Sequence, residues 1–151
     1  MILFDVNVLI GAHRSGQEHH AVARELLEEV VNAPAPFALS ELVLAAFVRI
    51  ATNLRAFAVP TPLEDAFRFT DGLRSRSNAR VVRPGERHWQ IFEELCRRTQ
   101  ARGALIGDAQ NAALAIEHGC EWISFDRDFA KFPDLRWRHP LDPGPSPVRP
   151  R

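Results

Sequence analysis

Apolar runs of strand length alternate along this chain with segments of helical periodicity, and that alternation restricts the fold more than any other feature. The strand candidates are ILFDV, PFALS, ARVV and EWISF, with LRW as a short last one. After ILFDV and a loop, HHAVARELLEEVVN puts Val22, Leu26, Leu27 and Val30 on one face, with acids opposite. SELVLAAFVRIATN opens with Ser40 in an N-cap position. TPLEDAFRFTDGLRSR is a weaker helix with a proline at its start, and ERHWQIFEELCRRTQARG is expected to end at Gly103. DAQNAALAIEHG carries Ala109, Ala112, Ala113 and Ile116 on one face, and DRDFAKFP reads as a short helical turn. Strands separated by such helices pair in parallel, so the expected architecture is α/β: a mostly parallel sheet with helices on both faces.

With 151 residues, one domain over 1–138 accounts for the pattern. From His139 onward the composition changes. HPLDPGPSPVRPR holds five of the eleven prolines and is expected to be a flexible tail. The absence of a long uninterrupted apolar run argues against a membrane span. The N-terminus lacks a basic region and Asp5 breaks its apolar stretch, so it does not read as a signal peptide. Cys96 and Cys120 have neither CxxC nor zinc spacing and are expected to be reduced thiols of a cytoplasmic protein. Formal net charge is zero, which removes bulk attraction to nucleic acid as a signal. All but Lys131 of the 19 basic residues are arginine. A GC-rich genome accounts for that bias more simply than phosphate recognition does.

The acids fall in a pattern. Asp5 ends the first strand, Glu41 follows the second, Asp126 follows EWISF with Asp128 close behind, and Asp108 opens the helix leading into that strand. Carboxyl ends of parallel strands share one edge, where ligand sites form, so four acids from distant parts of the chain are expected in one crevice. Carboxylates so close raise one another's pKa unless protons are shared or a cation joins them. An all-oxygen set without cysteine suits Mg²⁺ or Mn²⁺ and suits phosphodiester chemistry. Each of Glu41, Asp108 and Asp126 could instead be a helix cap. Asp5, with apolar neighbours on both sides, is harder to explain that way.

These blocks carry a resemblance. Asp5 within ILFDVNVLI, Glu41 within LSELVLAAFVRIATN, Asp108 within ALIGDAQNAALAIEHG and Asp126 within WISFDRDFAKFPDLRW are similar to the four acidic blocks of the PIN-domain family. More narrowly they resemble the VapC toxins of VapBC toxin–antitoxin pairs, mycobacterial members above all, over roughly residues 1–141. The resemblance implies a three-layer α/β/α sandwich and a Mg²⁺-dependent endoribonuclease, Mn²⁺ substituting, that hydrolyses RNA with metal-activated water. It further implies a homodimer and a cognate VapB-like antitoxin, with heterotetramers or larger complexes. By position Asp5 and Asp108 would be direct metal ligands, while Glu41 and Asp126 would complete the catalytic pocket, Asp126 also reaching the metal. Asn7, Ser124 and Asp128 lie beside these acids and are candidates to support them.

Two rivals remain. A haloacid-dehalogenase-like phosphatase also begins with Asp after its first strand, but it wants an acid where Asn7 stands and a lysine partner, and Lys131 is the only lysine. A catalytically inert PIN-like protein that only binds RNA or antitoxin should have lost at least one of the four acids, and all are present. His13, His19 and His20 read as surface groups, and Arg74, Arg76, Arg80, Arg83 and Arg87 as a solvated face that could follow an RNA backbone. Trp89 and Trp137 are candidates for a dimer face.

Overall fold

The computed structural model describes residues 1–144. Its five strands are β1 (Ile2–Phe4), β2 (Phe37–Ser40), β3 (Ala79–Val82), β4 (Glu121–Ile123) and β5 (Trp137–Arg138). They form one sheet in the order β3-β2-β1-β4-β5, and every pairing is parallel. Leu3 pairs with Ala38 on one side and Trp122 on the other, so β1 is central.

Helices α1 (Val6–His13) and α2 (His20–Asn32) join β1 to β2, and α3 (Glu41–Ala51) and α4 (Leu63–Arg74) join β2 to β3. Helices α5 (His88–Thr99) and α6 (Ala104–Glu117) return from β3 to β4. Parallel crossovers are right-handed, so the two that run outward from β1 cover one face and the one that runs back covers the other. This is the α/β/α sandwich. The reversal also creates a topological switch point between β1 and β4, where a crevice opens at the carboxyl ends of both strands.

A sheet covered on both faces must be apolar on both, and β2 is buried at all four positions. Trp122, Phe37, Phe47, Leu3 and Leu9 are fully buried and fill the space between sheet and helices.

The structure corrects the expected boundaries in three places. Where a loop was expected after β1, α1 begins at once, because Asp5 caps it by accepting the Val6 N–H at 2.7 Å. That helix shows no helical period because Val8, Leu9, Ile10, Gly11 and Ala12 are all buried. Helix α5 stops at Thr99, not Gly103: Gln100 takes the left-handed conformation (φ 51°) and ends it. Gly103 (φ 60°) instead introduces α6, so Asp108 lies one turn inside that helix and does not open it.

Of the proline-rich stretch, residues 145–151 lie outside the described residues. His139 is buried against Phe125 and Trp137. Among the described residues no helix is long and apolar enough to cross a membrane.

Candidate metal centre

Asp5 sits at the switch point with 7% of its surface exposed. A buried carboxylate costs several kcal/mol unless hydrogen bonds replace its water. Three do so here. Oδ1 accepts the Val6 N–H, and Oδ2 accepts the Ser124 hydroxyl at 2.6 Å and the Asn7 amide at 3.2 Å. Asn7 also donates to Ser124 Oγ and accepts the Phe125 N–H, and Ser124 Oγ accepts the Asp126 N–H at 3.0 Å. The Asp5 N–H itself bonds to the Ile123 carbonyl. One network therefore ties the end of β1 to the segment after β4, and it holds Asp5, Asn7, Ser124 and the Asp126 backbone in register.

Asp126 caps the 3-10 turn Arg127–Lys131 by accepting the Asp128 N–H at 2.8 Å, while Asp128 pairs with Lys131. Capping and crevice placement thus coincide at Asp5 and Asp126, because each lies just beyond the carboxyl end of a central strand, β1 or β4, and caps the helical turn that follows. Burial raises the Asp5 pKa to about 6 against the opposing Ser124 and Val6 hydrogen bonds, and the charges of Asp108 and Asp126 add to the rise. Asp108 is pushed upward too, by burial and then by Asp126 and Asp128, with Lys131 opposing. Asp5, Asp108 and Asp126 have no ion-pair partner among the described residues. Their mutual repulsion is relieved only in part, by Lys131 acting on Asp108.

Glu41 stands apart from that trio. It lies in the first turn of α3, after Ser40 caps the helix by accepting the Val43 N–H. Its carboxylate accepts a forked pair of hydrogen bonds from Arg83, Nε at 3.0 Å and Nη2 at 2.9 Å, and Arg74 approaches to 3.9 Å. Sequence reasoning missed this partnership. Arg83 follows β3, which lies next to β2, and only the strand order brings the two residues together.

The donor set tests whether a cation fits. It is entirely oxygen and carries excess negative charge, which matches a hard divalent ion. Asp5 uses three of about four acceptor positions and keeps capacity for a fourth partner. Among the described residues no three such groups already surround a common ion position. Closing a shell around one ion would require the acid side chains to rearrange from the positions they hold here. The histidines are not competitors: His13 packs against Phe47 and Phe69, His19 stacks on Phe125, and His20 Nδ1 bonds to the Gly11 carbonyl.

The PIN domain profile matches residues 2–135. The chain is 47% identical over 142 residues to the VapC ribonuclease Mb2897 of Mycobacterium bovis, covering 94% of this chain and 97% of that one. The chain belongs to the PIN-domain family, among the VapC proteins. It is also 40% identical to ribonuclease VapC25 of Mycobacterium tuberculosis, covering 93% of this chain and 99% of that one. VapBC2 from Rickettsia felis, solved bound to a promoter DNA fragment, superposes with TM-score 0.67 at 17% identity over 92% of this chain and 98% of that chain. VapC20 of Mycobacterium tuberculosis, a sarcin-ricin loop cleaving toxin, superposes with TM-score 0.61 at 21% identity over 90% and 99%. These two likenesses establish the PIN fold, and the sequence relatives establish the VapC branch of it.

Proposed function

We propose that this VapC chain is the toxin of a type II toxin–antitoxin pair, a Mg²⁺-dependent endoribonuclease in which Mn²⁺ can substitute. The observation that carries the reading is the buried Asp5 at the switch point, its pKa lifted by burial and by Asp108 and Asp126, with no ion-pair partner for any of the three among the described residues. Relatives at 47% and 40% identity are named ribonucleases, which fits that chemistry. Asp5 and Asp108 would hold the ion directly, with Asp126 beside them, and Glu41 would complete the pocket. A bound divalent cation supplies Lewis acidity and neutralises charge on the phosphodiester. The chain's own groups orient the acids. Asn7 and Ser124 hold the rotamer of Asp5, the Ser124 hydroxyl favours its ionised form, and Asp126 shapes the turn that carries Asp128. No side chain serves as nucleophile. Water attacks in line and the 3′ oxygen leaves, so the products carry a 5′-phosphate.

Cytoplasmic location, homodimerisation and neutralisation by a VapB-like antitoxin belong to the same reading. Solved neighbours that are VapBC complexes support the antitoxin. One observation favours the inert alternative: Glu41 is held by arginine. Against the phosphatase rival, Asn7 is fully engaged with Asp5, Ser124 and Phe125 and offers no general acid. The decisive experiment is inducible expression of the chain and of Asp5→Ala, with mapping of new RNA 5′ ends. Discrete new 5′-phosphate ends are expected with the wild type alone, and equal patterns in both strains would refute the nuclease.

Ser124→Ala provides a finer check. Its hydroxyl bond is the largest influence that keeps Asp5 ionised against burial. Without it the Asp5 pKa should climb further and Mn²⁺ affinity at neutral pH should fall about tenfold, as for other outer partners of metal ligands. Calorimetric titration reads the change, and an unaltered affinity would remove Ser124 from any supporting role.

A further inference from the structure

The segment after β3 combines a fixed backbone with an exposed arginine. The carbonyl of Arg83 bonds to His118 Nε2 at 2.7 Å, which requires the proton to sit on that nitrogen. The N–H groups of Gly85 and Arg87 donate to the two carboxylate oxygens of Glu117 at 2.8 and 3.0 Å. Glu117's side chain is only 9% exposed. Burial opposes its ionisation, yet those two N–H groups, with His118 and His88 nearby, hold its pKa below the usual carboxylate range. A Cβ at Gly85 would stand 2.7 Å from a Glu117 carboxylate oxygen, so a larger residue there would have to displace the Glu117 side chain from its two N–H donors. His88 Nε2 adds a bond to the Gln110 carbonyl. The loop is thus stapled to α6 at several points between its start and its end.

Beyond the staple, the Arg83 side chain is 65% exposed and reaches back to Glu41, which is 44% exposed. An ion pair this open to water is weak and easily exchanged. The guanidinium fork that grips a carboxylate at 3.0 and 2.9 Å also fits two oxygens of a phosphate. Among the described residues, Glu41 is the one acid of the four with an ion-pair partner.

We propose that Arg83 is a transferable counter-charge. In the free protein it occupies Glu41, and when RNA arrives it moves to a backbone phosphate, releasing Glu41 toward the cation. The inference rests on the cation-dependent nuclease reading and goes beyond it. It assigns a phosphate-binding residue outside the acidic set and makes completion of the centre depend on substrate. Glu117, Gly85 and His118 are positioning residues that aim the arm, and Arg74 approaches the same Glu41 oxygen to 3.9 Å.

Three measurements test this, with thermal melting to verify that each variant is folded. Titration of Mn²⁺ into the free protein should give about fivefold tighter binding for Arg83→Gln, the size expected when one exposed ion pair no longer competes. That gain should vanish in a Glu41→Gln background. Binding of fluorescein-labelled oligouridylate in EDTA should weaken about tenfold in Arg83→Gln, and its salt dependence should lose about one phosphate contact. A merely structural arginine would not shift the two affinities in opposite directions. If Mn²⁺ binds through Asp5 while Arg83→Gln changes neither affinity, the transfer is refuted and the nuclease reading stands. If the wild type takes up no Mn²⁺, the cation-dependent reading falls and the release of Glu41 falls with it.

Discussion

Asp5→Ala should lower RNA cleavage by about three orders of magnitude, which corresponds to roughly 4 kcal/mol of lost transition-state stabilisation. The effect should be this large because Asp5 is the buried member of the acidic trio, held in place by Ser124, Asn7 and the Val6 N–H. The fold should survive. Losing the N-cap of α1 costs about 1 kcal/mol, and removing a buried carboxylate crowded by Asp108 and Asp126 offsets that loss. RNA affinity should hold or rise, since one anion has left a site for an anionic ligand. Asp108→Ala, and EDTA with the wild type, should produce the same loss. Single-turnover cleavage of a mapped RNA substrate, with a melting curve for each variant, checks the set. Activity within tenfold of wild type for Asp5→Ala would overturn the proposed centre.

Acidification should drive the cation out. A proton and a divalent ion compete for Asp5, whose pKa is lifted by burial to about 6. Mn²⁺ affinity should therefore be nearly flat above neutrality and fall about tenfold per pH unit below pH 6. The same shift has a stability consequence of opposite sense. The folded pKa lies above the ordinary 3.8, so protonated Asp5 favours the folded state. That contribution is complete below pH 3.8 and lost as pH rises through 6, about 3 kcal/mol at 1.36 kcal/mol per unit. Asp108 moves in the same direction, while Glu117 works the other way and favours folding at higher pH. Comparison with Asp5→Asn isolates the Asp5 share. In EDTA, the wild type should become less stable relative to that variant between pH 4 and 7, and saturating Mn²⁺ at pH 7 should restore it. Mn²⁺ affinity that stays constant from pH 7 to pH 5 would mean that Asp5 does not bind the ion.

The same residues show which parts of this protein could be read from its sequence. Strands β1 to β4 were legible as short continuous apolar runs and helices α2 to α4 by their helical spacing of apolar residues, with Ser40 and Pro62 marking the starts of α3 and α4. Helix α1 was not legible. It is buried nearly all round, so VNVLIGAH carries no period, and its cap is the residue that ends the preceding strand. The break between α5 and α6 was misplaced because Gln100 adopts the left-handed turn that a glycine would advertise.

The sequence by itself determined the parallel α/β architecture and the candidacy of Asp5, Glu41, Asp108 and Asp126, because local periodicity and chain order decide which residues end strands. Tertiary structure alone decided how those acids are partnered. Asp5 joins Ser124 because β4 lies beside β1, and Glu41 meets Arg83 because β3 lies beside β2. Pairing energies of this kind depend on distance and local dielectric, and neither is written in any segment of the chain.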